Sequence, residues 1–309
     1  MKPIILVLEN PGYDLARFLS QLEMLYPKYS IQKELYEGQE NHVKGIVHVK
    51  KRLSGSYLSG FPALKFIATA FTGYDSVDAL YCKKNGIVVY NVPEYSTNSV
   101  AELTLAMAIN CLRKIPSGIK IISDGAWDSL PGNELYGKRV AIIGTGATGC
   151  RAAALFRAFG CHIQGYSRSH RTAFIKLGGT YAPDLLSACR DADIISLHIP
   201  LNAETKGIIN NTILGALEKN PVLINTSRGA VIEKESLLNA LDNKIVSCAA
   251  IDVFDSEPLP EDDILRNHPS VLATPHIAYK TKEALKRKAD ITLENINAYH
   301  VNSERNRVI

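Results

Sequence analysis

The chain has 309 residues, 46% hydrophobic and 21% charged, with no low-complexity tract or block of like charge. This excludes a disordered or fibrous protein and suits two packed domains of roughly 100–200 residues each. The net charge of +4 comes from scattered cations, so nucleic-acid binding is not expected, and the short Lys286-Arg287-Lys288 run reads as a solvated helix face.

The first segment, Ile4–Leu8, is a short apolar run that soon meets Glu9, Asn10 and Pro11. It reads as a β-strand rather than a signal peptide or membrane span, and a cytoplasmic protein is expected. Further strands are predicted at Gly45–Val49, Phe66–Ala70 and Val88–Val92, which together make one small α/β domain. Ser99-Val100-Ala101-Glu102 has the Ser-x-x-Glu spacing of a capping box and opens a strongly apolar, buried helix that ends by Leu112 or Ile115, before Pro116. From Val140 a second series of strands begins, at Val140–Ile143, His162–Tyr166, Ile194–Leu197, Val222–Asn225, Cys248–Asp252 and Val271–Ala273. Alternation of strands with helical stretches predicts α/β architecture with two parallel, doubly wound sheets. A polar-amphipathic helix from about Thr281 to Tyr299 comes too late to add a strand unit, so it is expected to return to the first domain. The predicted boundaries are 1–98 with 280–309 for a discontinuous domain and 99–279 for an inserted one. The six cysteines show no CxxC pair and no metal-ligand spacing, and they read as reduced, mostly buried thiols with no metal.

Gly144-Thr145-Gly146-Ala147-Thr148-Gly149 is a GxGxxG motif placed directly after an apolar strand and before a helix predicted over Cys150–Phe159. The first glycine permits a tight turn, the second lets a pyrophosphate approach the backbone, and the third lets helix pack on strand, with the phosphates at the positive helix end. A dinucleotide site is predicted. An NAD-specific site needs a carboxylate at the end of the next strand, for the ribose 2′-hydroxyl. The sequence there is Ser167-Arg168-Ser169-His170-Arg171, without an acid; Ser167, Arg168, Ser169 and Arg171 suit a 2′-phosphate, so NADP is favoured over NAD.

Three polar residues stand at or just after the ends of late strands, where ligands gather in open α/β sheets: Arg228, Glu257 and His276. Reduction of a 2-keto acid needs a cation for the carboxylate, a proton donor for the carbonyl oxygen and a hydride source. Arginine offers a two-pronged donor, histidine donates a proton near neutral pH, and a nearby carboxylate keeps that histidine oriented.

With these residues the sequence resembles the D-isomer-specific 2-hydroxyacid dehydrogenases. The resemblance runs from Thr72-Gly73-Tyr74-Asp75-Ser76-Val77-Asp78 and the Asn91–Glu102 segment through the glycine motif and Ser196-Leu197-His198-Ile199-Pro200 to the three polar segments. It implies a substrate domain built from both chain ends, a cofactor domain between them, and a homodimer held largely by the cofactor domains. It assigns substrate anchoring to Arg228, acid/base catalysis to His276 and tuning of that histidine to Glu257. It adds His198, Pro200, Thr226 and Asp252 to the cofactor residues, and the backbone of Thr72-Gly73-Tyr74 to the substrate residues. Glu257 stands where formate dehydrogenase-like relatives carry Gln, which speaks against formate oxidation. The Ser167-Arg168-Ser169 segment is similar to that of NADP-using glyoxylate and hydroxypyruvate reductases.

Selectivity for the substrate's C3 group is expected from the first domain, with Lys50, Tyr74, Tyr95 and Tyr279 as candidates. These favour a small acid such as glyoxylate or hydroxypyruvate. Lys51 and Arg52 keep a phosphorylated substrate open, and a D-lactate- or D-3-phosphoglycerate-type dehydrogenase is the alternative. The chain's end at Ile309 leads us to expect no appended regulatory domain. A different class, a nucleotide-sensing module like the C-terminal-binding protein corepressors, uses the same fold, and turnover of keto acids separates the two.

Overall fold

The computed structural model describes residues 1–309 except Tyr13 and Ser129. Its backbone divides into two compact units, Met1–Ser96 with Lys280–Ile309, and Thr97–Tyr279.

In the first unit β1 (Ile4–Val7), β2 (Ser30–Gln32), β3 (Val43–His48), β4 (Phe66–Thr69) and β5 (Val88–Tyr90) form one parallel sheet in the order β2-β1-β3-β4-β5. This is the flavodoxin-like winding. Apart from the edge strand β2, its strands are largely buried on both faces, which is why they read as continuous apolar runs instead of alternating ones. Ile4, Leu6, Ile46, Ile67 and Val89 fill one face, and Ile5, Val7, Val47, Phe66 and Ala68 the other. The strand Ser30–Gln32 was not predicted; three half-buried residues at a sheet edge carry no periodicity to read.

The terminal helix spans Lys282–His300, and the Thr281 hydroxyl caps it by accepting from the Ala284 N–H. It belongs to the first unit, as the sequence predicts: Leu293 and Ile296 join Phe18, Leu22 and Phe66 in its core, and Tyr299 stacks on Phe66 at 4.3 Å. The tail then pairs with β5, Val308 donating to the Val89 carbonyl at 2.8 Å. Lys288 departs from the expected solvated face. At helical spacing from Ala284 and Thr292 it falls on the inward side, is 2% exposed and lies 6.0 Å from the centre of the Tyr95 ring. Burial lowers its pKa to about 8.

The second unit holds β6 (Arg139–Ile143), β7 (His162–Tyr166), β8 (Thr180–Tyr181), β9 (Ile194–Leu197), β10 (Val222–Asn225), β11 (Cys248–Ile251) and β12 (Val271–Ala273), all parallel, in the order β12-β11-β10-β9-β6-β7-β8. The chain runs outward from β6 first to one side and then, through β9, to the other. The winding therefore reverses between β6 and β9, the place where such sheets bind dinucleotides. The helix predicted to open with a Ser99–Glu102 capping box instead begins at Thr97 and runs to Leu112, so both residues lie inside it and Ser99 is buried. The domain boundary accordingly falls two residues earlier than the sequence suggested. The helix Ile115–Ser123 was also missed. Pro116, which the sequence places just past the end of the preceding helix, occupies the first turn of this one, where its missing N–H costs nothing.

Candidate active site and dinucleotide loop

At the switch point the Gly144 N–H donates to the Tyr166 carbonyl (2.8 Å) and the His198 N–H to the Ile143 carbonyl (2.7 Å), drawing the ends of β6, β7 and β9 together. The helix after the glycine motif covers Ala147–Ala158, starting three residues before its predicted first residue. Gly144 has φ +93°, which disfavours any side chain, and a Cβ there would overlap the His198 carbonyl. A Cβ on Gly149 would overlap the Gly144 carbonyl oxygen, so this glycine is required by close packing of helix on turn. Gly146 differs from both: a Cβ there meets nothing within 4 Å. The space in front of it is what a pyrophosphate needs to approach the backbone. Gly146 also caps the helix without any side-chain acceptor, which leaves the first-turn N–H groups of Ala147, Thr148 and Gly149 for an anion. The loop thus fits an NAD(P) pyrophosphate.

The loop is braced by a residue that the sequence reading overlooked. The Tyr181 hydroxyl lies 2.7 Å from the Thr145 hydroxyl and accepts from the Arg171 N–H at 2.9 Å, while its ring stacks on His170 at 3.9 Å. Beyond β7, Arg168 reaches the Glu204 carboxylate at 2.7 Å, with both side chains about 70% exposed. The predicted 2′-phosphate arginine therefore has an acidic neighbour, brought from 36 residues away and invisible to a search for an acid on its own strand. Ser167 and Ser169 stand in the same segment. On the other side of the switch point the His198 ring accepts or donates at Ser196 Oγ (2.9 Å), and burial lowers its pKa to about 4, so the imidazole is neutral near pH 7. The Pro200 carbonyl accepts from Thr205, and Thr226 meets Thr104 at 3.1 Å.

The three catalytic candidates follow β10, β11 and β12. After β10 the Asn225 side chain ties its own turn, taking the Ser227 N–H and hydroxyl and donating to the Arg228 carbonyl at 2.8 Å. Gly229 is needed because a Cβ there would overlap the Phe254 and Asp255 backbone; this contact sets the Arg228 turn against the Glu257 loop. Glu257 accepts from the Phe254 N–H at 3.2 Å with one oxygen and lies 2.6 Å from His276 Nδ1 with the other. A carboxylate only accepts, so Nδ1 carries the proton and Nε2 is the ring atom able to exchange one with a substrate. The distance is that of a short, charge-assisted bond, made where His276 and Glu257 side chains are 14% and 29% exposed.

Asp252, predicted to meet the cofactor, is fully buried. One of its oxygens accepts from the Thr274 hydroxyl (2.6 Å) and the Ile277 N–H (2.8 Å), the other from the Ala278 N–H (2.8 Å). It therefore grips the chain on both sides of His276. That grip sustains φ +52° at His276, a left-handed conformation that costs a non-glycine residue of order 1 kcal/mol or more. The Tyr279 ring stands edge-on to His276 at 5.5 Å.

Of the substrate candidates in the first unit, Lys50 lies beyond the C-terminal end of β3, Thr72-Gly73-Tyr74 beyond that of β4 and Tyr95 beyond that of β5. Thr72 donates to the Val92 carbonyl (2.8 Å) and its own carbonyl accepts from Asn91, which fixes the turn through Gly73 and the exposed Tyr74. Lys50 is exposed, whereas Tyr95 is 1% exposed and serves that unit's core. Among the described residues no cluster of His, Cys, Asp or Glu is suited to a metal, and no helix is long and apolar enough to cross a membrane.

Residues 105–278 match the family model for the NAD-binding domain of D-isomer specific 2-hydroxyacid dehydrogenases. Over 236 residues the chain is 36% identical to D-3-phosphoglycerate dehydrogenase of Methanocaldococcus jannaschii, covering 75% of this chain but 45% of that protein; it thus spans about half the length of such relatives. Glyoxylate reductase of Thermofilum pendens is 35% identical over 257 residues, 80% of this chain and 75% of its own. The solved NADPH-dependent glyoxylate/hydroxypyruvate reductase of Sinorhizobium meliloti superposes with a TM-score of 0.84 at 30% identity, covering 97% of this chain and 95% of that one. Other matching relatives bear the names hydroxypyruvate reductase and D-lactate dehydrogenase. With a glycine loop at the switch point and a carboxylate-held histidine in the same unit, this chain belongs to the D-isomer specific 2-hydroxyacid dehydrogenases.

Proposed function

We propose that the chain is an NADPH-favouring reductase of a small 2-keto acid such as glyoxylate or hydroxypyruvate. The observation that carries the reading is the His276–Glu257 pair, with its proton placed on Nδ1 and its backbone held by buried Asp252. The Arg228 guanidinium meets the substrate carboxylate with its planar pair of donors and orients the keto group. NADPH, when bound at the Gly144–Gly149 loop, supplies a hydride to the carbonyl carbon. His276 Nε2 then delivers a proton to the carbonyl oxygen, and the Glu257 carboxylate stabilises the imidazolium from which that proton comes. In the reverse direction Nε2 takes the proton of the 2-hydroxyl.

The preference for NADPH is supported by Arg168 and Arg171 and by the lack of an acid in residues 167–171. Glu204 tempers it, because this carboxylate draws the Arg168 guanidinium and repels a phosphate. We further propose a homodimer through the helix Ile115–Ser123, whose Ile115, Ile119 and Ile122 expose 39%, 66% and 58% of their surface on one side.

The test is loss of absorbance at 340 nm with NADPH or NADH against glyoxylate, hydroxypyruvate, pyruvate, phosphohydroxypyruvate and a bulky 2-keto acid. Turnover of glyoxylate or hydroxypyruvate, faster with NADPH, is the expected result. Preference for pyruvate or the phosphorylated acid would move the assignment to those dehydrogenases, and nucleotide binding without any turnover would favour a sensing module.

A further inference from the structure

We propose that Glu9 is a positioning residue: its carboxylate fixes the turn that presents Lys50, and thereby sets the selectivity for 2-keto acids bearing a polar group at C3. This rests on the reductase reading, and on Lys50 as a substrate contact.

The chain places Glu9 just beyond β1, beside the end of the neighbouring β3, where the Leu8 N–H donates to the Val47 carbonyl at 2.9 Å. From there a single oxygen, Glu9 Oε2, accepts from the backbone N–H groups of Val49 (2.8 Å), Lys50 (2.9 Å) and Lys51 (2.8 Å). Successive N–H groups that converge in this way form an anion-binding nest. In this turn the anion is an internal carboxylate. The three amides are thus committed within the protein, and the turn can read a substrate only through a side chain.

The far side of the turn is held as firmly. His48 is fully buried between the Lys51 carbonyl, 3.2 Å from Nδ1, and the Thr69 hydroxyl, 2.8 Å from Nε2. A carbonyl only accepts, so Nδ1 donates to it and Nε2 accepts from Thr69. Burial lowers the His48 pKa to about 4, which keeps this neutral arrangement at physiological pH. Between these two clamps the Lys50 ammonium lies 5.7 Å over the Phe71 ring, directly before the Thr72-Gly73-Tyr74 turn of the same unit. A flexible surface lysine loses much rotamer freedom when it reaches a ligand; a fixed turn and an aromatic rest remove part of that cost in advance.

A purely structural role for Glu9 would affect all substrates alike, whereas positioning affects only those that meet Lys50. Hydroxypyruvate carries a C3 hydroxyl and glyoxylate has no C3, so the pair reads the difference. Steady-state kinetics with NADPH would compare wild type, Glu9→Leu, Glu9→Gln, Lys50→Met and the Glu9→Leu/Lys50→Met double variant. The expected result for Glu9→Leu is a rise in KM for hydroxypyruvate of about tenfold, with kcat and the glyoxylate KM within about twofold. Glu9→Gln, which keeps an acceptor oxygen, should restore most of it, and the double variant should lose no more than Lys50→Met alone. Equal losses for both keto acids, additivity in the double variant, or a Lys50→Met enzyme with unchanged selectivity would overturn the proposal while leaving the reductase reading intact. Absence of keto-acid turnover in the wild type would overturn that reading instead. If Glu9→Leu does not fold, as judged by thermal unfolding, Glu9→Asp carries the same comparison, because its shorter arm withdraws the acceptor from the nest.

Discussion

The two polar segments of the second unit that bear most on function are built in opposite ways. The turn carrying His276 is held by a fully buried aspartate with three hydrogen bonds, and its histidine is locked to Glu257 at 2.6 Å. The segment after β7 that carries Arg168 is exposed, and its arginine sits in an ion pair some 70% open to water. The contrast is what the two proposed roles would require. Proton transfer needs an atom held within a few tenths of an ångström, whereas discrimination of a phosphate from a hydroxyl rests on charge, which acts over several ångströms and tolerates mobile side chains. On the proposed reading, buried, mutually dependent groups would accompany the chemistry, and solvated, separable ones the cofactor preference.

The sharpest way to break the contrast is to loosen the rigid side. Asp252→Ala would leave the Thr274 hydroxyl and the Ile277 and Ala278 N–H groups without their acceptor, at about 1–3 kcal/mol each, and is expected to lower unfolding free energy by about 4 kcal/mol. Chemical denaturation measures this; a change under about 1 kcal/mol would show that the turn holds itself. Kinetics of Asp252→Asn, which retains one acceptor oxygen, should show a fall in kcat with nucleotide affinity little changed.

A substitution within the glycine loop separates packing from binding. Gly146→Val projects into open space in this structure, so its melting temperature should stay within a few degrees of wild type. NADPH affinity should fall by roughly 100-fold, the worth of two charge-assisted hydrogen bonds. Gly149→Ala meets the Gly144 carbonyl instead and should lower the melting temperature itself. Calorimetry with and without NADPH distinguishes the two, and equal destabilisation by both would remove Gly146 from the nucleotide site.

The smallest expected effects are on the exposed side. Arg168→Ala should weaken NADPH about tenfold while leaving NADH almost unchanged, in keeping with one charge-assisted contact. Glu204→Gln should strengthen NADPH by about twofold to threefold, as befits an exposed ion pair. Fluorescence titration of each variant with both nucleotides checks this pair. A loss shared equally by NADPH and NADH would show that Arg168 does not read the 2′-phosphate.

Much of the fold was legible in the sequence because parallel strands buried on both faces leave uninterrupted apolar runs. His162–Tyr166, Ile194–Leu197, Val222–Asn225 and Val271–Ala273 have the predicted limits, and the other predicted strands shift by one or two residues at their ends. The strands Ser30–Gln32 and Thr180–Tyr181 escaped notice because edge strands this short need few apolar residues. The turn at the glycine motif could be read because its spacing is local, and the placement of Arg228, Glu257 and His276 beyond strand ends because those strands are apolar runs. What could not be read depends on distant partners. Glu204 reaches Arg168 from 36 residues away, Tyr181 reaches Thr145 from the edge of the sheet, and Glu9 reaches Lys50 across 41 residues. Asp252 was picked out, but its carboxylate is spent on the His276 turn, a task that only the three-dimensional path of residues 274–278 makes visible.

The most direct test of the account is to measure kcat for hydroxypyruvate and Kd for NADPH side by side in wild type and His276→Ala. We expect wild-type turnover, a fall in kcat of about 10²- to 10⁴-fold in the variant, and NADPH affinity within about twofold. Unchanged turnover in His276→Ala, or its loss only in step with loss of NADPH, would contradict a proton delivered by His276.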